Sequence, residues 1–158
     1  MTDIAIRGQL ARLLDWSEAH ATFDRAVKGM PVGARGRRPK GAEHSAWEIL
    51  EHIRLAQADI LDFCRNPDYA DRTWPDDYWP KTAAPPSATA WARSVAGVRR
   101  DREALKTLAG DPSVDLLAPI PHGTGQTVLR ELLLVADHTA YHVGELVLLR
   151  RLLGVWKP

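Results

Sequence analysis

The longest helical pattern in this chain runs from about Val128 to Leu153, and it sets ionisable side chains on its apolar stripe. At about 100° per residue, Glu131, Leu134, Val135, His138, His142, Glu145 and Leu149 fall on one line. A stripe that carries leucine and valine is the one a helix buries. Two imidazoles and two carboxylates on that stripe are expensive to bury without partners. The pattern therefore calls for an apolar surface to pack against and for something that satisfies the histidines.

Three further segments have the same periodicity. The first spans about Asp3 to Lys28, with Ile6, Leu10, Leu13, Leu14, Ala21 and Val27 recurring at helical spacing, and Gly29 and Pro31 end it. The second spans Ala46 to Arg65; Ser45 followed by Glu48 is a capping box, and Asn66-Pro67 is a stop. The third spans about Thr89 to Ala109 and closes at Gly110-Asp111-Pro112. The fourth, from Val128, has Thr127 as its N-cap and Gly154 as its stop. No segment has a strand pattern. The expected fold is all-α: one four-helix bundle domain over residues 1–158. The connections are long for a bundle, which predicts at least one crossover. Trp74, Pro75, Tyr78, Trp79 and Pro80 in the second connection predict that it packs on the bundle.

Composition narrows the function. The chain has 158 residues and a formal net charge of +1, which gives no field to draw it to nucleic acid. Cys64 is the only cysteine, so no internal disulfide can form, as suits a reducing compartment. The first twenty residues lack the apolar run of a signal peptide, and no later segment reads as long and apolar enough to span a bilayer. The expectation is a cytoplasmic protein that acts on a small molecule, with no nucleic-acid or membrane partner.

The chemistry centres on His138 and His142. Four residues apart, they stand one turn above each other, the spacing at which two imidazoles share a metal ion. On the second helix Ile49, His52, Leu55, Ala56, Ile60 and Phe63 form the inward stripe, so His52 can meet the pair across the core. Three imidazoles bind a divalent transition metal and leave a position open for water or substrate. The competing reading is a buried polar network, with the histidines hydrogen-bonded to Glu131 and Glu145.

The residues that carry this argument also resemble a known family. Ser45-Ala46-Trp47-Glu48-Ile49-Leu50-Glu51-His52 and Asp137-His138-Thr139-Ala140-Tyr141-His142-Val143-Gly144-Glu145 are similar to the second- and fourth-helix motifs of the DinB/YfiT-like family. The resemblance continues through Leu149 to Gly154. It implies a four-helix bundle of up-up-down-down connectivity. It also implies a metal site at His52, His138 and His142, with zinc or nickel the usual occupant, and a homodimer. Characterised members include transferases and isomerases that use low-molecular-weight thiols, so the resemblance implies a thiol-dependent transferase; a hydrolase uses the same ligands. A non-catalytic, metal-stabilised binding or stress-response protein is the alternative. Relatives often carry glutamine where this chain has Glu145.

Other residues carry weaker signals. Glu145 shares the face of His138 and is the candidate to hold a histidine tautomer, or to lie solvated at the rim. Glu48 is read as half of its capping box, with a general base near His52 as the sharper reading, and Asp59 as serving helix pairing, with orienting a ligand as the sharper one. His44 precedes the second helix and is expected to be exposed, as is His20. His122 lies in the turn Pro121-His122-Gly123-Thr124-Gly125, which has no P-loop context. The basic stretch Arg35 to Lys40 reads as a solvated loop, with binding of an acidic substrate as the sharper reading. Tyr141 is expected to project away from the two histidines.

Overall fold

The computed structural model describes residues 2–15 and 17–157. Five α-helices account for most of them: α1 (Thr2–Leu13), α2 (Phe23–Val27), α3 (Ala46–Arg65), α4 (Ala90–Gly110) and α5 (Val128–Leu152), with a short 3-10 turn at Val32–Ala34. There is no strand among the described residues, only an isolated bridge between Pro119 and Thr127. The expected all-helical bundle is present.

The helix ends follow local chemistry. At the start of α3, the Ser45 hydroxyl accepts from the Glu48 N–H and the Glu48 carboxylate accepts from the Ser45 N–H, the expected capping box. Thr127 caps α5 by accepting from the Arg130 N–H. Arg7, itself buried, donates to the carbonyls of Ala109, Asp111 and Val114, and so satisfies the C-terminal end of α4.

The first predicted helix is two helices. α1 ends at Leu13, residues 17–22 are irregular, and α2 begins at Phe23 under a Thr22 cap on the Arg25 N–H. The break lets Phe23, Ala26 and Val27 enter the core while Asp15 pairs with Arg102 and Lys106 of α4. A straight helix could not present both faces. Ile6, expected among the core positions, is 47% exposed.

Helix directions follow from which residues meet. Glu51 contacts Ser94 and Gln57 donates to the Val98 carbonyl, so α3 and α4 run parallel. Arg7 meets Ala109 while Asp15 meets Arg102, so α1 opposes α4. One core cluster joins the start of α3 to the end of α5, through Ala46, Ile49, Leu50, Ile53, Val143, Leu146 and Leu149. The other joins the end of α3 to the start of α5, so these two helices are antiparallel. The order is therefore up-down-down-up, which corrects the expected up-up-down-down. The connection over residues 66–89 is the crossover; it carries the chain back along α3 so that α4 can run parallel to it.

Leu50, Ile53, Leu105, Leu132 and Leu146 are almost fully buried. Side chains of this kind each contribute about 1.5–3 kcal/mol relative to exposure. α5 also corrects an expectation: by length and composition it is long and apolar enough to cross a membrane. Its apolar residues lie on two sides. Leu132, Val135, Val143, Leu146 and Leu149 fill the core, and Leu133, Leu148 and Leu152 face outward.

Candidate metal centre

His52 sits two turns into α3, and His138 and His142 occupy the middle of the antiparallel α5. The antiparallel packing brings the three together. One ligand-capable atom from each lies within 4.8 Å of the others, and no other such group of histidine, cysteine or carboxylate side chains occurs among the described residues. The Nε2 atoms of His52 and His138 are 3.0 Å apart. Two nitrogens on one tetrahedral zinc ion are separated by roughly 3.4 Å, so this pair has the spacing of two donors on one ion.

The other ring nitrogens are already engaged. Nδ1 of His52 donates to the carbonyl oxygen of Tyr78 at 2.8 Å. Nδ1 of His142 donates to Glu145 at 2.5 Å. A neutral imidazole that donates through Nδ1 has its lone pair on Nε2. His52 and His142 are thus held in the tautomer a metal ligand needs, a recurring arrangement of metal-binding histidines.

Electrostatics agree. Burial, then the neighbouring His142 and His52, pushes His138 down to about 4. Burial, then His52 and His44, does the same to His142. His52 is lowered as well, chiefly by burial. All three rings are neutral at pH 7, as metal coordination requires. Burial raises the Glu145 carboxyl above its ordinary value, against the pull of His44 and the Tyr141 hydroxyl. The donor set is three neutral imidazoles with two fixed tautomers, and it fits a divalent transition metal.

The crossover builds the rest of the site. Asp59, buried on α3 two turns beyond His52, accepts from the hydroxyls of Tyr69 (3.1 Å) and Tyr78 (2.6 Å) and pairs with Arg72 at 3.0 Å. These contacts lay the crossover along α3 and bring the Tyr78 carbonyl to His52. The next residue, Trp79, stacks on the His52 ring with centroids 3.9 Å apart and planes within 1°. His44 stacks on the other face of Trp79, also at 3.9 Å. A cleft of about 630 Å³ opens beside the three histidines, between α3, α5 and the crossover.

Motifs in the two histidine helices and the fold around them have a common explanation. A family model for the DinB superfamily matches residues 15–146. This chain belongs to the DinB superfamily. No significant match was found among curated proteins or solved structures.

The packing of α3 on α5 brings His52, His138 and His142 together, with Glu145 beside His142. Glu145 is half-buried and bonded to His142, so both expected readings hold in part. Glu48 serves its capping box and an ion pair with Arg38. Arg35 lies over the Trp91 ring, so two charges of the basic loop have structural partners. His44, expected exposed, is half-buried against Trp79. Tyr141, expected to project away, stands 4.9 Å from the His142 ring at the cleft mouth. His122 bonds the Phe63 carbonyl and lines no part of the cleft. Glu131 is buried and pairs with Arg130 rather than with a histidine. The parts that sequence reasoning missed were the Tyr78 carbonyl, the stacking of Trp79 on His52 and the route by which Asp59 acts, through the crossover rather than through helix pairing. Their only signal was the aromatic richness of the crossover.

Proposed function

We propose that this DinB-superfamily protein is a metal-dependent enzyme that binds one divalent transition ion, zinc or nickel, through His52, His138 and His142. One observation carries the reading: three neutral imidazoles converge beside an open cleft, two of them fixed by acceptors on Nδ1. A divalent ion bound there supplies Lewis acidity to a small-molecule substrate. The chain's own residues do the rest. Tyr78 and Glu145 orient His52 and His142, and Trp79 covers one face of His52 and excludes water from it. Glu145, whose carboxyl burial holds above its ordinary value, lies behind His142 and can hold or release a proton on its Nδ1.

Thiol-dependent transfer and hydrolysis are the two reactions that suit this site, and a low-molecular-weight thiol is the cosubstrate of the first. The non-catalytic alternative needs a saturated site. Glu145 is turned to Nδ1 of His142, which speaks against its serving as a fourth ligand. A cytoplasmic homodimer without nucleic-acid or membrane partners completes the proposal. The outward Leu133, Leu148 and Leu152 of α5 supply an apolar face for a second copy, and light scattering on the purified protein measures it.

The test is elemental analysis of untagged protein beside His52→Ala and His138→Ala. One equivalent of metal in the parent and little in either variant is expected. No metal in the parent after reconstitution, or full occupancy in the variants, sinks the proposal.

A further inference from the structure

On the reading of the three histidines as a metal centre, we infer that the site takes an elongated ligand with a metal-binding head and a flat, apolar, aromatic body. A polyhydroxylated or multiply charged ligand does not suit it. The cleft runs from the triad along the α3–α5 groove as far as Arg130. Arg130 precedes His138 by eight residues, which at ~1.5 Å per residue places the far end about 12 Å from the triad. The ligand is therefore longer than a single metal-binding group.

The walls define its character. Ala56 and Ile60 follow His52 at successive turns of α3, and Leu134 lies one turn before His138, so the floor is apolar over its length. The facing wall is aromatic. Trp79 is occupied by its stacks on His52 and His44, but Trp74 is 67% exposed, with its ring 6.2 Å from His52 in an edge-on arrangement. A large ring left open at the edge of a cleft is a surface for another flat apolar group.

The buried carboxylates along the walls are already engaged, and Asp71, Gln126 and Arg130 stand at the outer edge. Asp59 holds two tyrosine hydroxyls and Arg72, and Glu131 holds Arg130. The hydroxyls of a sugar-like ligand would leave water here without finding partners, which opposes binding. An aromatic body loses little and gains contact with Trp74 and the helical floor.

The experiment uses full-length protein loaded with cobalt(II), whose visible spectrum reports head-group binding. Three hydroxamates share the metal-binding head: acetohydroxamate, 4-phenylbenzohydroxamate and gluconohydroxamate. The biaryl probe should bind at least about tenfold more tightly than acetohydroxamate, and the polyol no more tightly. Trp74→Ala, and separately Ala56→Leu to fill the floor, should reduce the biaryl-to-acetyl ratio to below about threefold, with folding checked by circular dichroism. Cobalt loading and acetohydroxamate binding with no biaryl gain, or with an equal polyol gain, overturn this inference alone. A biaryl gain that neither variant reduces also overturns it, because the gain then comes from elsewhere. Failure to load cobalt overturns the metal reading and this inference with it; loading without acetohydroxamate binding leaves the ion in place but overturns the open coordination position, and this inference with it.

Discussion

Nδ1 of His52 donates to the carbonyl oxygen of Tyr78 across 2.8 Å, and this bond ties a helix residue to the crossover between α3 and α4. The acceptor is backbone, so no substitution of Tyr78 removes it directly. Its position depends on the Tyr78 hydroxyl, which reaches Asp59 two turns along α3. Asp59 is thus a positioning residue that acts on His52 through the crossover.

Asp59→Asn should weaken metal binding by about 10- to 100-fold, the usual effect of losing a group that orients a metal-binding histidine. Tyr78→Phe should produce a smaller loss in the same direction, since Tyr69 and Arg72 still hold Asp59. Competition with a chromophoric chelator measures both. Unchanged affinity in Asp59→Asn, with the protein folded, would remove the proposed coupling.

Glu145 accepts from His142 at 2.5 Å, so its replacement tests the tautomer argument separately. Glu145→Gln keeps an oxygen acceptor and should lower metal affinity by about tenfold, while Glu145→Ala should lower it further. If Glu145 were itself a ligand, both changes would alter the coordination number. X-ray absorption on the loaded variants reads that number.

The depressed histidines predict how the metal-free protein responds to acid. In the folded state His138 and His142 are pushed from the ordinary 6.5 of a free imidazole to about 4. The unfolded chain therefore binds more protons between these values, and stability rises with pH across that window. Their contribution is complete above about pH 6.5 and is lost as pH falls toward 4. Urea titrations of chelated protein at pH 7 and pH 4.5 measure it, and His138→Ala should flatten the dependence. Restoring the metal at a thousand times its dissociation constant should add about 4 kcal/mol at pH 7.

The sequence by itself determined the helices that carry the chemistry. The capping box at Ser45 and Glu48, the cap at Thr127 and the periodic stripes are local signals, and α3 begins and ends where they put it. They were enough to turn His52, His138 and His142 inward and to set Glu145 beside His142, because helix geometry alone fixes residues three and four apart. Tertiary structure decided the rest. Periodicity continued through residues 14–22, and only the competing demands of Asp15 on α4 and Phe23 on the core divided the first helix. Helix direction depended on where a long connection could return, which no local pattern records. The crossover's place over the triad rests on Asp59 meeting Tyr69 and Tyr78, and on Trp79 meeting His44 and His52. Those contacts join residues far apart in the chain, so their energy exists only once the helices have packed.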